Sequence, residues 1–205
     1  MSKVKAQHIY ETNVLRFNLT KKSWLEESVL PEWLDDGIPF ENMWQLHPTE
    51  YGKVMMFGKV VETPRWQQSY GKGYRFSGME HKGIDIPDDV QKYLDWANSL
   101  GMGEFNQILL NWYASGHHYI GSHQDSETQL VKDSPIISIS RGATRTFRLR
   151  ENKVIAKDIL VPDGTVLVMG GKFQKELSHE IPKIGGKKGE GVGRRINITM
   201  RQFKE

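Results

Sequence analysis

The chain has 205 residues, of which 38% are hydrophobic and 10% aromatic, a composition that buries a core and excludes a disordered polymer. Cysteine is absent, which excludes disulfide scaffolds, cysteine zinc sites, iron–sulfur clusters and thiol nucleophiles and leaves His, Asp and Glu to hold any metal. The formal net charge of +3 is unevenly spread: residues 24–50 carry seven acids and no base, whereas residues 51–82, 141–157 and 183–205 are net +4, +5 and +5.

Residues 1–50 read as an irregular N-terminal extension, in which KKSWLEESVLPEWLDD is expected as a short helix stopped by Pro31. Residues 53–62, KVMMFGKVVE, alternate and are rich in Val, Met and Phe, so they read as a strand or hairpin interrupted at Gly58. Four glycines and Pro64 break residues 63–83 into loops around short strands. Residues 87–100 carry a helical pattern. Pro87, Asp88 and Asp89 suit its first turn, and Val90, Leu94, Ala97 and Leu100 lie near one face. After Gly103 the texture becomes short β-rich runs separated by turn residues such as Pro162-Asp163-Gly164. Consecutive strands without intervening helices predict a sandwich or barrel. The glycine cluster at 185–193 reads as a flexible loop, and it lacks the spacing of a phosphate loop. At roughly 150 residues per domain the chain forms one compact unit. Within it we expect an extension (1–50), a lid with its supporting helix (51–102) and a β core (103–205).

Two of the seven histidines have informative settings. In His123-Gln124-Asp125 the His and the carboxylate stand at i and i+2, which share one face of a strand and so reach one cation. A third ligand then comes from a later strand, and His179 in ELSHEIP is the best placed. Two imidazoles and one carboxylate make a facial triad that leaves three positions open and favours Fe(II) over zinc. By itself an HxD pair arises by chance in many proteins and is more often a His hydrogen-bonded to its neighbour than a metal site. His117 and His118 compete as ligands, but in a β context the five-residue separation of His118 from His123 points them to opposite faces, so they are expected to line or approach the site. In RINITMR, Arg195, Asn197, Thr199 and Arg201 alternate on one face and Ile196, Ile198 and Met200 on the other. Two arginines on a buried stripe are costly unless anions satisfy them. A dicarboxylate such as 2-oxoglutarate would do so through bidentate pairs, with Asn111 and Tyr113 as further donors. The alternative is an edge strand with solvated arginines.

N-x-Y, HxD, a distal His and R-x-N-x-T-x-R, in this order, resemble the AlkB-type Fe(II)/2-oxoglutarate nucleic-acid dealkylases of the DNA-repair branch. The resemblance runs from about Met55 to Phe203. It implies a mainly β protein with flanking helices around a double-stranded β-helix, or jelly-roll, core. It also implies Fe(II), 2-oxoglutarate and O₂, and an enzyme that demethylates bases of the 1-methyladenine or 3-methylcytosine type in DNA, or also RNA. Formaldehyde, succinate and CO₂ would be released. His123, Asp125 and His179 would ligate iron. Arg195 and Arg201 would hold the 2-oxoglutarate carboxylates, with Asn111, Tyr113, Asn197 and Thr199 lining the pocket. Upstream, MFGKVVETPRWQQSYGKGYRFSG resembles the nucleotide-recognition lid. There Phe57, Gly58 and Lys59 match a duplex-probing hairpin, Arg65 would lie near the nucleic-acid backbone or the opposite base, and Tyr74 and Phe76 would enclose the damaged base. Ser126 and Glu127 would contact the base edge, and Ser126 replaces an acidic residue of the duplex-acting animal enzyme.

The three basic stretches, interleaved with Phe57, Trp66, Tyr70, Tyr74, Phe76 and Phe147, agree with a polyanion partner. A hydroxylase of a protein or small molecule is the competing reading, and a jelly-roll binding module without catalysis a third. No apolar run approaches the ~20 residues of a membrane span, and the first eight residues lack an apolar signal core. An intracellular protein, cytoplasmic or nuclear, is expected, and nothing in the sequence requires more than a monomer.

Overall fold

The computed structural model describes residues 14–56, 58–76, 79–125 and 128–205. In chain order these form β1 (Leu15–Asn18), β2 (Ser23–Val29), α1 (Glu32–Asp36) and α2 (Phe40–Trp44). Five strands follow: β3 (Lys53–Met56), β4 (Lys59–Glu62), β5 (Trp66–Gly71), β6 (Tyr74–Phe76) and β7 (Met79–His81). Then come α3 (Asp88–Ser99), β8 (Gln107–Tyr113), β9 (Ile120–His123), β10 (Ile136–Gly142) and β11 (Arg145–Glu151). The chain continues through β12 (Val154–Val161), β13 (Thr165–Gly171), α4 (Phe173–Glu176) and β14 (Leu177–Ile181), and closes with α5 (Gly186–Glu190) and β15 (Arg195–Arg201).

Two antiparallel sheets face each other. The larger has the order β1-β2-β13-β10-β15-β8-β5, the smaller β12-β11-β14-β9. Strands from β8 to β15 thus shuttle between the two sheets, which is the jelly-roll path predicted for the C-terminal half. Strand periodicity decides what each layer buries. Ile108, Leu110, Trp112, Ile196, Ile198 and Met200 face outward from the large sheet and meet α1–α3 through Leu34, Met43, Val90, Tyr93 and Ala97. The opposite faces, with Leu109, Phe147, Leu149, Leu167, Met169 and Ile181, meet between the sheets. At about 1.5–3 kcal/mol per fully buried large apolar side chain, these two layers are the main favourable term in folding. Among the described residues no helix is long and apolar enough to cross a membrane.

The helix expected at 87–100 forms as α3, with Pro87 as its cap residue. The hairpin expected at 53–62 forms as β3–β4, and Gly58, just before β4, takes φ +74°. Two expectations are corrected. The segment before Pro31 is β2 rather than a helix: Ser23 and Leu25 turn inward at alternate positions, and residues 23–29 pair along the whole of β13. Trp24 closes this seam by lying over Gly170, where any Cβ would sit 2.0 Å from the indole. The cluster at 185–193 contains a helical turn, α5, where a loop was expected; Gly116, in hydrogen bond with Gly189 O, anchors it.

A histidine, carboxylate and arginine pocket

A cavity lies between β5, β8 and β15 of the larger sheet and β9, β11 and β14 of the smaller. His123 is the last residue of β9 and stands directly opposite His179 on β14, with ring centroids 4.3 Å apart. Asp125 lies two residues beyond the end of β9, so the pair is completed from a loop and not from the strand face the spacing suggested. The candidate ligand atoms of His123, Asp125 and His179 all lie within 4.8 Å of one another. His123 Nδ1 donates to Gly121 O at 2.9 Å, which fixes the ring and leaves Nε2 with its lone pair. The face of the His179 ring stacks on Phe147.

Burial acts on all three groups. It drives the His123 imidazole below its ordinary value, against the pull of Asp125. It drives His179 down to about 3, helped by the neighbouring His123. For Asp125 burial alone would raise the carboxyl, but Arg201, His179 and His123 outweigh it and hold it at about 2. At neutral pH the cluster is therefore two neutral imidazoles and one carboxylate, the protonation states a metal needs. Asp125 Oδ2 is buried with no hydrogen-bond partner, a cost that a cation bound there removes, and His179 Nδ1 is likewise buried without one. The donor set is that of a facial-triad iron site, and the residues fit Fe(II).

These shifts carry a pH signature. A histidine with a folded value of about 3 against an ordinary 6.5 takes up its proton first in the unfolded chain. Its contribution to stability is complete above about 6.5 and is lost as pH falls toward 3. Metal-free protein is expected to melt at progressively lower temperature from pH 7.5 to 5, and His179→Gln to melt with a shallower slope. Thermal melts of both across that range are the check; equal slopes would refute the assignment.

The opposite wall is the polar face of β15. Arg195, Asn197, Thr199 and Arg201 all enter the pocket, and Asn111 and Tyr113 join them from β8, where Asn111 pairs with Asn197 and Tyr113 with Arg195. The two arginines differ. Arg201 Nη2 binds Asp125 Oδ1 at 2.8 Å, and Nη1 donates to Gln107 Oε1. Arg195 has Nη2 on Ser140 Oγ at 2.7 Å and lies over the Tyr113 ring, 5.0 Å from its centroid, while Nε and Nη1 are buried with no hydrogen-bond partner. Burial lowers Arg195 to about 10, so it remains a cation. A buried guanidinium with two unsatisfied nitrogens inside a cavity suits a carboxylate. Asn197 donates to Ser138 Oγ, and Thr199 donates to Asn197 Oδ1, which braces this wall.

Arg65 is 4% exposed and turns into the pocket rather than toward an external duplex. Its Nε donates to Asn111 Oδ1 at 2.7 Å and its Nη2 to Gln67 Oε1 at 3.0 Å, which explains the inward turn. His117 and His118 sit away from the cavity: His117 Nε2 meets Gly186 O, and His118 packs against Tyr51 and Trp66. Gly58 and Lys59 occupy the exposed end of the β3–β4 hairpin, and Tyr74 and Phe76 begin and end β6. Phe57, Ser126 and Glu127 lie outside the described residues. Sequence reasoning missed Gln67, Ser138, Ser140 and Gln174. The alternation of Ser138 and Ser140 with isoleucines in SPIISIS was a readable signal of an inner polar face; Gln174 had none.

A model of the 2OG-Fe(II) oxygenase superfamily matches residues 17–201, nearly the whole described chain. The chain belongs to the 2OG-Fe(II) oxygenase superfamily. The superfamily's name states its metal and co-substrate, and both fit this pocket. The oxygenase is 28% identical to human DNA oxidative demethylase ALKBH2 over 163 residues, 74% of this chain and 61% of the relative. It is 27% identical to the protein of the same name from Arabidopsis thaliana over 222 residues, 92% of this chain and 64% of the relative. Alpha-ketoglutarate-dependent dioxygenase alkB homolog 3 of Rattus norvegicus is 32% identical over 107 residues, 47% of this chain and 35% of the relative. The oxygenase thus spans 57% to 66% of the length of the ALKBH2 relatives from cattle, human and mouse. Among solved structures, that of OsALKBH1 shares the fold, with a TM-score of 0.53 at 17% identity, over 92% of this chain and 100% of the other.

Proposed function

We propose that this oxygenase removes N-linked methyl groups from bases of the 1-methyladenine or 3-methylcytosine type in DNA. The observation that carries the reaction class is the Arg195 fork, buried and two nitrogens short of partners, in the same cavity as His123, Asp125 and His179. Iron bound there, with O₂ and 2-oxoglutarate, supplies the oxidising power that hydroxylates the methyl carbon, so that formaldehyde, succinate and CO₂ leave and the base is restored. The protein's part is positioning. Arg195 binds and orients the distal carboxylate of 2-oxoglutarate. Arg201 keeps Asp125 ionised, and therefore an anionic ligand. Phe147, Leu109 and Ile181 wall the cavity with hydrocarbon and limit water.

The nucleic-acid substrate is supported by the ALKBH2 relatives, whose names state DNA demethylation. It is supported also by the β3–β4 hairpin, which exposes Met55, Val60 and Val61 beside Lys59. Apolar side chains of this kind wedge between stacked bases. A methylated, unpaired base leaves the stack at least cost, and that is one source of selectivity. An intracellular site of action, cytoplasmic or nuclear, and a monomeric enzyme complete the reading.

The test is formaldehyde release and base repair on oligonucleotides carrying 1-methyladenine or 3-methylcytosine, single- and double-stranded. The protein is reconstituted anaerobically with Fe(II) and then given air and 2-oxoglutarate. Repair that requires all three cofactors is expected. Succinate formation without repair would retain the oxygenase and move its substrate to a protein or small molecule. Phe57→Ala is expected to reduce repair of duplex more than of single strands; equal loss on both would remove the wedge.

A further inference from the structure

We infer that Gln174 and Gln124 form a reciprocal amide clasp that positions Asp125 for the metal. The inference rests on the iron site described above. Asp125 lies past the end of β9, so no sheet ladder holds its backbone. Its N–H instead donates to Gln174 Oε1 at 2.9 Å. Gln174 is 9% exposed, sits on α4 immediately before the strand that carries His179, and rests its Nε2 on Met169 Sδ of β13. The return contact comes from the middle residue of the HxD. Gln124 Nε2 donates to Lys175 O at 3.3 Å and to Leu177 O at 3.2 Å. Each glutamine therefore uses its side chain to hold the other's backbone segment. The two segments carry Asp125 and His179, ligands that are 54 residues apart in sequence.

The clasp supplies what a strand would otherwise supply. A metal site tolerates about half an ångström of misplacement before affinity suffers. Arg201 fixes the Asp125 carboxylate from one side, and Gln174 fixes its backbone from the other. Removing the backbone anchor frees the φ of Asp125 and lets the carboxylate follow Arg201 away from the histidines. Gln174 and Gln124 are positioning residues, and neither is a ligand.

The readout is Co(II) binding to the metal-free full chain, followed by its visible absorption, with thermal melting of the metal-free protein alongside. Gln174→Met, which keeps the length of the side chain but not the carbonyl, is expected to weaken Co(II) binding about tenfold or more and to alter the absorption band. Gln174→Glu retains an acceptor oxygen and is expected to recover most of the affinity. Gln124→Ala, at an exposed position, is expected to weaken binding several-fold, and the double variant less than the product of the two. Wild-type affinity and band in a folded Gln174→Met would overturn the clasp, as would equal weakening in Gln174→Glu. If Gln174→Met does not fold, Gln124→Ala decides, and wild-type affinity there overturns it. Absence of Co(II) binding by the wild-type chain would instead refute the metal site itself.

Discussion

Arg195→Met is expected to raise the KM for 2-oxoglutarate by about a hundredfold or more while leaving the ligand-free protein at least as stable as wild type. The two effects have one cause. Arg195 is 1% exposed, Ser140 satisfies one of its nitrogens and the Tyr113 ring lies beside it, while Nε and Nη1 have no hydrogen-bond partner. A buried charge in that state costs stability, and methionine of similar length removes the cost. When a carboxylate arrives, two charge-assisted hydrogen bonds form, each worth about 1.5–3 kcal/mol, and the variant forgoes both. Wild-type protein should therefore melt at a higher temperature with 2-oxoglutarate and Mn(II), and the variant should show little shift with the acid. Succinate formation against 2-oxoglutarate concentration gives the KM. A KM within about threefold of wild type would remove Arg195 from co-substrate binding, since even one such bond carries more than a factor of ten. Arg195→Lys should recover little, because a point charge does not replace a planar fork.

Asp125→Ala and His123→Ala are both expected to abolish turnover while nucleic-acid binding, measured by gel shift, persists. Their stabilities should differ. Asp125 is the carboxylate partner of Arg201, whose side chain is 4% exposed, and stripping a buried ion pair of one member costs about 3–5 kcal/mol. His123 is a neutral imidazole, and its ring bond to Gly121 is local. The Asp125 variant should therefore melt well below the His123 variant in the absence of metal. Retained turnover in either would overturn the ligand assignment. Equal melting temperatures would mean that the Arg201 charge finds other compensation.

What the sequence displayed was governed by local pattern. The α3 segment carries its own start signal and its own period, so its position was readable. The β15 alternation placed four polar side chains on one face before any strand order was known, and the structure keeps all four in the pocket. What was not readable depends on distant partners. Residues 23–29 looked helical because their acids and Pro31 are local signals, whereas the β13 edge that pairs with them is more than a hundred residues away. Charge was legible in amount but not in location. Arg65, Arg141, Arg145, Arg195 and Arg201 all counted toward the basic stretches, and all five are buried. Arg141 binds Asp35 and Tyr93, and Arg145 holds the carbonyls of Ser115, His118 and Pro182. Their role is internal bracing, so the external basic field is smaller than the counts imply. The Arg201–Asp125 pair was hidden for the same reason: each was visible as half of a different motif.

The strict two-residue period of β15 also sets how this gene can drift. Point changes among Ile196, Ile198 and Met200 need only preserve hydrocarbon volume, because these residues pack on the helices. Insertion or deletion of a single codon anywhere between Arg195 and Arg201 is a different event. It would exchange the two faces of the strand, driving guanidinium groups into the helix-covered layer and hydrocarbon into the iron pocket. The same lesion in the β11–β12 turn, at Asn152 and Lys153, would fall on an exposed hairpin end and leave both layers in register. Length variation among descendants of this sequence should therefore collect in the hairpin turns and stop at the borders of β15.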